Sequence, residues 1–374
     1  MWTSLRIYIY KIVDFISGLS GLLYRTGWTS VNGILNILFY KKRTTRQMCY
    51  ENLDILKYIS SILIILFHIN IYMKVVYKID FIITDVITRL AVPFFFTIAG
   101  FLIAQNENKG PNYIKNYLIE LFKTYLFWSI LYLPFGLRYI INLHIAWYLY
   151  PIAILLGILY IGIYYHLWYF PALFFSICIL SFWKKRWSIS LLTFISFLLL
   201  IIGSSESYFG YFNDFWQNIF QTYYFSIFYT TRNFLFFGLF YVTLGYMMQK
   251  KQLVWKNQYN YLLIITLLFF TLDCMIAQTT PGIDRNILIS APFFVFFLFL
   301  RVLYSPQLLP FIDKRKLRRL SKYYFFVHPF VLELLFYFKA SYSIPLIFFL
   351  SLTMTHILTL VCLYIKKHYP SLPM

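Results

Sequence analysis

Long apolar runs alternate with short polar segments along most of the chain. The ten runs lie at 54–73, 86–105, 118–135, 167–183, 189–203, 231–249, 259–277, 287–304, 322–339 and 344–365. A helix rises ~1.5 Å per residue, so about twenty apolar residues cross the ~30 Å hydrocarbon core of a bilayer. Spanning structures must satisfy their own backbone hydrogen bonds, which favours helices. The pattern predicts an all-α, polytopic membrane helical bundle with about ten transmembrane helices.

Two segments do not fit this count. Residues 145–163 are apolar enough to cross, but an eleventh crossing would reverse every later loop, so we expect them to be re-entrant or interfacial and buried against protein. Residues 1–50 contain short or charge-interrupted apolar stretches and predict a cytoplasmic or interfacial amphipathic segment, with a further span at 7–24 as the open alternative. Residues 51–374 then form one transmembrane domain.

The charge pattern gives an orientation. The formal net charge is +20, and the basic residues cluster in short runs between apolar segments, such as 41–43, 184–186, 250–251, 314–319 and 366–367. Such runs mark cytoplasmic loops and favour contact with anionic lipid headgroups. They predict a protein of the plasma (inner) membrane with both termini in the cytoplasm. Because the basic residues lie in short loops between spans, they argue against a nucleic-acid partner.

The cysteines give no sign of a metal centre. Cys49, Cys178, Cys274 and Cys362 are scattered and form no paired spacing of the kind that zinc sites use. We therefore expect no metal ion and no disulfide framework.

Several ionisable side chains, and one tryptophan, lie within the predicted spans or at their ends. Burying an ionisable group in a membrane is energetically costly. On the predicted topology His68, Arg89, His166, Trp168 and Arg232 all fall in the outer half of the membrane on different helices. Each has an ordinary structural explanation, as a hydrogen-bonded core histidine, a snorkelling anchor or an aromatic-belt residue. Their convergence favours a functional site, because intramembrane ionisable groups usually mark a pathway or reaction centre.

Two further residues map to the inner half. Lys57 precedes His68 by eleven positions, or roughly 16 Å along one helix, and His328 follows the basic run of the ninth span. The simplest arrangement is a polar channel with a basic inner mouth and a histidine higher up. Taken alone, His328 is best explained as a structural residue beside a helix-bending proline.

Five motifs in order resemble the acyltransferase-3 family of integral membrane acyltransferases, over roughly residues 50–365. They are Asn52-Leu53-Asp54-Ile55-Leu56-Lys57 with His68, Arg89 to Gly100, His166 to Leu173, Thr231 to Gly238, and Tyr324 with His328-Pro329. The Arg-x-x-Arg pair that many members carry after the second span is absent, with Lys115 and Lys123 the nearest basic residues. The contacts to the phosphates of the acyl donor therefore stay open.

The resemblance implies a membrane-bound O-acyltransferase. It would move an acyl group, which we expect to be acetyl, from acyl-CoA as co-substrate to a hydroxyl of an envelope glycan or lipid-linked sugar. His68 would be the general base, Arg89 (or Arg232) would stabilise the oxyanion and Lys57 would hold the donor. The residues that would bind substrate or cofactor are His166, Trp168, Arg232, Asn233, Tyr324 and His328.

Two other classes of protein fit the same residues. A polar channel lined by histidine and arginine also suits a transporter or exporter of polysaccharide or amino acid. A structural membrane subunit of an envelope assembly complex is the third hypothesis. Transfer of label from acetyl-CoA, and its loss on substitution of His68, distinguishes the enzyme from both.

Overall fold

The structure, a computed structural model, describes residues 49–73, 86–144, 146–279, 282–337 and 343–374. The chain divides into two compact units, residues 1–47 and 48–374, and all of the described residues belong to the second. The amphipathic segment predicted for residues 1–50 lies outside the described residues, except for Cys49 and Tyr50.

Every regular element in the described ranges is helical. The α-helices of six residues or more are α1 Glu51–Met73, α2 Ala91–Asn106, α3 Tyr113–Asn142, α4 Tyr150–Leu156, α5 Tyr169–Trp183, α6 Ile189–Ser204, α7 Asp214–Ile219, α8 Leu239–Lys250, α9 Tyr259–Thr279, α10 Ala291–Leu303, α11 Lys314–Tyr337 and α12 Ile344–His368. All except α4 and α7 coincide with the ten predicted spans. The prediction of an all-α polytopic membrane protein is confirmed.

Five helices of the described residues are long and apolar enough to cross a membrane by length and composition. They are Glu51–Ile69, Thr88–Lys109, Tyr113–Asn142, Tyr259–Thr279 and Pro345–His368. Four of the other predicted spans form shorter helices of 12 to 16 residues, α5, α6, α8 and α10. The fifth, α11, has 24 residues, but its first turns are strongly basic. A π-helical turn, Phe234–Gly238, directly precedes α8 and extends that helix at its start.

Helix α11 begins two turns earlier than the apolar run indicated. The basic run 314–319 belongs to this helix and not to a loop, because buried Leu317, Leu320 and Tyr324 continue the helical spacing of its apolar face. The Asp313 side chain accepts the amide of Arg315 at 2.8 Å and caps the first turn. Arg315, Lys316 and Arg319 lie on the opposite, exposed face.

The expectation that residues 145–163 are buried against protein is wrong. Trp147–Ile161 forms a short helical segment, and its apolar side chains are largely exposed, with Trp147 at 79% and Ile152 at 56%. It is anchored to the bundle near its end, where the Tyr125 hydroxyl of α3 donates to the Ile158 carbonyl at 2.7 Å. The Tyr160 hydroxyl donates to the Phe228 carbonyl of the neighbouring segment at 2.8 Å.

Helices α2 and α8 cross in close backbone contact through two glycines. A Cβ atom on Gly100 would lie 1.9 Å from the Val242 carbonyl oxygen, and one on Gly245 would lie 1.9 Å from the Thr97 oxygen. Hydrophobic burial does not drive helix association within lipid, so small residues that permit close packing carry much of the stability. This crossing fixes the centre of the bundle.

A second packing centre is aromatic. Phe326 of α11 stacks on Trp128 of α3 with ring centroids 4.6 Å apart and on Phe170 of α5 at 5.1 Å. Aromatic pairs in offset or stacked contact add to the stability obtained from burial. The stacked rings therefore tie α3, α5 and α11 into a rigid unit.

Glu107, which follows α2, joins the ends of three helices. It accepts from Lys184 beyond α5 at 2.7 Å and from the Tyr246 hydroxyl at 2.8 Å, and it also pairs with Lys250 of α8. A carboxylate that is only 15% exposed is stabilised by such a complete set of partners. The cluster holds together the end of the bundle that the charge pattern predicts to be cytoplasmic.

Candidate active site

A cavity of about 550 Å³ opens at the end of the bundle opposite Glu107. Its volume is in the range of small-molecule sites, and its wall mixes aromatic rings with a few charged groups. The polar and aromatic lining residues are Phe135, Arg138, Tyr139, Asn142, Tyr164, Tyr165, Trp168, Tyr229, Thr230, Arg232 and Glu333. They come from the end of α3, the loop before α5, the segment before α8, and α11.

The loop before α5 depends on one glycine. Gly162 has φ +82°, in the left-handed region, and a Cβ there would lie 2.5 Å from the amide nitrogen of Trp168. Only glycine allows both the backbone angle and the close approach. The turn directs Tyr164, Tyr165 and Trp168 to the cavity wall.

Asn233 caps the helix that follows the cavity wall. Its side-chain oxygen accepts the amides of Leu235 and Phe236, and its nitrogen donates to the Tyr160 hydroxyl and the Thr230 carbonyl, all at 2.7–3.0 Å. Two acceptor and two donor positions are thereby occupied. The amide has no position left for a ligand, so the structure makes Asn233 a positioning residue and does not support its predicted role in binding.

Arg232 lies on the cavity wall, half-exposed, and its Nε is 2.7 Å from a carboxylate oxygen of Asp284. The residue before it, Thr231, donates its amide to buried Glu206 at 2.8 Å and also donates its hydroxyl to that carboxylate. Burial raises the pKa of the Glu206 carboxyl above its usual value. These contacts fix the backbone that presents the Arg232 guanidinium.

Three histidines from three elements meet beneath the cavity. His68 of α1 stacks on His328 of α11 with ring centroids 5.4 Å apart, and His166 meets His328 at 5.8 Å. Tyr165, which lines the cavity, lies 4.6 Å from the His68 ring. The sequence placed His68 and His328 at different depths, whereas the structure brings them together.

Several ring nitrogens of this cluster have no partner among the described residues. His166 is 3% exposed, and neither of its nitrogens is hydrogen-bonded. His328 is fully buried, with Nδ1 2.9 Å from the Tyr324 carbonyl and Nε2 unpaired. An unsatisfied buried polar group costs about 1–3 kcal/mol, so a site that retains several is suited to bind a polar ligand.

A tyrosine supports the helix beside His328. Pro329 cannot donate a backbone hydrogen bond, which weakens the helix at this point. The Tyr132 hydroxyl donates to the Phe326 carbonyl at 2.6 Å and accepts the Phe330 amide at 3.2 Å, so it bridges the backbone on both sides of the proline. Its ring also lies 4.7 Å from His166.

We expect Tyr132→Phe to lower the free energy of unfolding by about 1–3 kcal/mol, because it removes two hydrogen bonds between a buried hydroxyl and the α11 backbone. The ring that contacts His166 is retained. Thermal unfolding of the purified protein measures the effect, with the exposed Tyr148→Phe as the matched control. Equal unfolding temperatures for the two variants would show that the bridge does not stabilise α11.

The opposite end of α1 carries a different polar cluster. Buried Asp54 accepts two hydrogen bonds from Arg318, at 2.8 and 2.6 Å, and lies 4.0 Å from the Lys57 ammonium group. The Ser321 hydroxyl donates to the Lys57 carbonyl at 3.0 Å. Lys57 is thus held between α1 and α11 with 19% of its side chain exposed.

Of the predicted site residues, only Trp168 and Arg232 line the cavity. The side chains of Arg89 and Tyr324 lie away from both the cavity wall and the three clustered histidine rings. Arg89, just before α2, donates from Nη1 to the Arg285 carbonyl. Tyr324 is buried, and its hydroxyl is 2.7 Å from Nδ1 of His356. Its connection to the histidine cluster is through its carbonyl, which contacts His328.

The sequence analysis did not single out Glu333, Arg138, Tyr164 or Tyr165. Glu333 accepts a hydrogen bond from the Tyr164 hydroxyl across the cavity. Glu333 could have been identified from the sequence, because it is an acidic residue inside a predicted span and such residues usually have a functional role. No group of histidine, cysteine and acidic residues in the described ranges could hold a metal ion.

The chain is similar to three curated proteins. The serine/alanine racemase of Enterococcus gallinarum is 27% identical over 305 residues, which cover 78% of this chain and 42% of that protein. Two amino-acid racemases of Enterococcus faecalis are 27% and 29% identical over 231 and 229 residues, which cover 59% and 58% of this chain and 32% and 30% of those proteins. The chain thus spans less than half the length of the curated relatives it matches.

No solved structure matches the chain. A family model does, and it is the one described as an acyltransferase domain, over residues 50–365. That match includes all three histidines and every residue of the cavity wall. This membrane protein therefore belongs to the acyltransferase-3 family.

Proposed function

We propose that the protein transfers an acyl group, most simply acetyl, from acyl-CoA to a hydroxyl of a cell-envelope carbohydrate at the plasma membrane. The observation that carries the proposal is the position of His68. It is partly exposed and in ring contact with Tyr165 of the cavity wall, in a chain of an acyltransferase family. A cavity with aromatic walls suits a sugar ring.

The reaction assigns one role to the imidazole. As the acceptor oxygen attacks the thioester carbonyl, its proton passes to His68, and the tetrahedral intermediate collapses with cleavage of the carbon–sulfur bond. The CoA thiolate then takes the proton from the imidazolium. General-base catalysis of this kind contributes about 10²–10⁴-fold to the rate.

We assign stabilisation of the oxyanion to Arg232 and not to Arg89. Arg232 lies on the cavity wall, whereas Nη1 of Arg89 is bound to a backbone carbonyl. A preorganised donor is typically worth about 3–4 kcal/mol to a developing oxyanion once the bound substrates exclude water from the site. His166 and His328, with their unpaired nitrogens, would bind polar groups of the substrates.

The acyl donor would enter from the cytoplasmic end. Lys57 lies about 16 Å from His68 along α1, a distance that an extended pantetheine arm can span. The exposed basic residues of the first turns of α11, Arg315, Lys316 and Arg319, are placed to attract the phosphates of CoA. The same helix carries His328, so one element would connect the two ends of the site.

Amino-acid transport is the second candidate. The names of the relatives, serine/alanine racemase and amino-acid racemase, point to amino acids as the substrate class. Because the acyltransferase domain covers most of this chain, the longest of those matches must fall largely on the membrane part. A polar cavity above a histidine cluster is also compatible with translocation.

Labelling experiments decide between the two. Membrane vesicles that contain the protein are given radiolabelled acetyl-CoA, and label in isolated glycan and lipid fractions is compared with vesicles that lack it. Proteoliposomes are tested in parallel for uptake of labelled serine and alanine. Protein-dependent label in a glycan or glycolipid supports acyl transfer, whereas uptake without transfer overturns it.

A further inference from the structure

Arg138 is a cation of the cavity wall without a counter-ion in the described part of the chain. It lies one turn before the end of α3, is exposed and makes no hydrogen bond or ion pair there. The other charged groups of the wall are engaged, because Arg232 pairs with Asp284 and Glu333 accepts from Tyr164. Within the described residues, the cavity therefore offers one unpaired positive charge.

An arginine near the end of a membrane helix has an ordinary explanation. It can interact with the helix dipole and snorkel to lipid headgroups. Arg138, however, shares the wall of a concave site with Asn142, Tyr139 and Trp168. A planar guanidinium in such a position suits a phosphate or carboxylate that is part of the ligand.

Two short segments, the first apolar and the second amphipathic, lead directly into the same wall. The first, Trp147–Ile161, is followed by Gly162 and Tyr164 of the cavity. The second is residues 214–228, which is followed by Tyr229 and Thr230 of the cavity. The hydrogen bond from the Tyr160 hydroxyl to the Phe228 carbonyl joins the ends of the two segments.

Both segments expose large apolar side chains. In the first, Trp147, Ile152, Leu155 and Leu156 are each more than half exposed, and in the second Phe215, Trp216, Tyr223 and Ile227 are as well. Side chains of this kind at a membrane interface face lipid. The cavity therefore has an apolar approach on the sides that these segments form.

We propose that the acceptor is a lipid-linked sugar phosphate. The sugar would occupy the aromatic cavity, the phosphate would contact Arg138, and the apolar chain would lie along Trp147–Ile161 and residues 214–228. The identification as acceptor rests on the proposed acyl transfer. The binding of the lipid phosphate does not require that reaction.

The three features together favour this acceptor over a free polysaccharide. A free neutral glycan would use the aromatic wall but neither the unpaired charge nor the apolar approach. A free sugar phosphate would use the charge and the wall alone. Only an amphiphile with an anionic link between sugar and chain makes use of all three.

Binding to the purified protein without any acyl donor tests the inference. Undecaprenyl phosphate is the probe, measured by native mass spectrometry. The same polyprenol without phosphate and glucose 1-phosphate without the lipid serve as comparisons. We expect binding of undecaprenyl phosphate, with at least tenfold weaker binding of each comparison compound, since a charge-assisted hydrogen bond contributes about 1.5–3 kcal/mol.

Arg138→Gln should weaken binding of undecaprenyl phosphate by about tenfold and leave binding of the polyprenol unchanged. Arg186→Gln is the matched control, since Arg186 is an exposed arginine beyond the far end of α5. Equal binding by the Arg138 and Arg186 variants overturns the inference, as does equal binding of the phosphate-free polyprenol or of glucose 1-phosphate.

The result is separable from that of the proposed function. If undecaprenyl phosphate binds through Arg138 but no acyl transfer occurs, the proposed binding site is supported and the proposed enzymatic function is rejected. Acyl transfer to a soluble glycan without such binding would sustain the enzyme and reject this acceptor.

Discussion

Replacing His68 with alanine should lower the rate of acyl transfer from acetyl-CoA by at least about a hundredfold. The effect follows from loss of the general base, whose contribution is about 10²–10⁴-fold. His68 is the member of the three-histidine cluster that is both partly exposed and in contact with the cavity wall through Tyr165. Transfer of radiolabel to the glycan or glycolipid fraction measures the loss.

A structural role for His68 must be distinguished from a catalytic one. The alanine substitution removes an imidazole ring, so added imidazole should restore part of the activity in the variant and have no such effect on the unaltered protein. His368→Ala, at the exposed end of α12, is the control and should retain full activity. Unchanged transfer in folded His68→Ala rejects the proposed mechanism.

The histidine cluster shows how far the sequence could predict the site. The order and spacing of the motifs identify His68, His166 and His328 as candidates, but the depth that the sequence predicts for His328 is wrong. The apolar run of its helix begins near residue 322, whereas α11 begins at Lys314. The two added turns place His328 about 21 Å along the helix, level with His68. When the first turns of a helix are basic and amphipathic, a hydropathy pattern places the start of the helix too late.

The cavity could not be predicted from the hydrophobic periodicity of the sequence. Its wall comes from irregular segments, where Gly162 has φ +82° and Tyr229 has φ +59°. Its polar contacts join residues distant in sequence, such as Tyr164 with Glu333. Hydrophobic spacing specifies which face of a helix is buried, and it carries no information on such backbone angles or pairings.

The helix crossing, in contrast, is predictable in part. Gly100 and Gly245 are small residues of the kind that permit close packing of membrane helices. That they meet on facing helices follows only from the structure, where the backbone of each helix occupies the space beside the other's glycine.

Gly245→Ala should strongly destabilise the protein, by about 3 kcal/mol or more, or prevent folding. In a helix interior the change from glycine to alanine alone would gain up to about 1 kcal/mol. Here the new Cβ would lie 1.9 Å from the Thr97 oxygen and 2.9 Å from the Phe101 nitrogen. These are backbone atoms that no side-chain rotation can move, so α2 and α8 must separate, and overpacking of this kind usually costs about 1–3 kcal/mol or more.

The thermal unfolding midpoint of the purified protein, together with the yield of monodisperse material, measures this effect. Gly157→Ala is the matched control, because the nearest atom to its added Cβ is the end of the Ile163 side chain at 3.1 Å, which can rotate away. We expect the control to unfold close to the unaltered protein. If Gly245→Ala were as stable as Gly157→Ala, the backbone contact between α2 and α8 could not be what fixes the centre of the bundle, and the cavity would have to be held in place by the aromatic packing of α3, α5 and α11 alone.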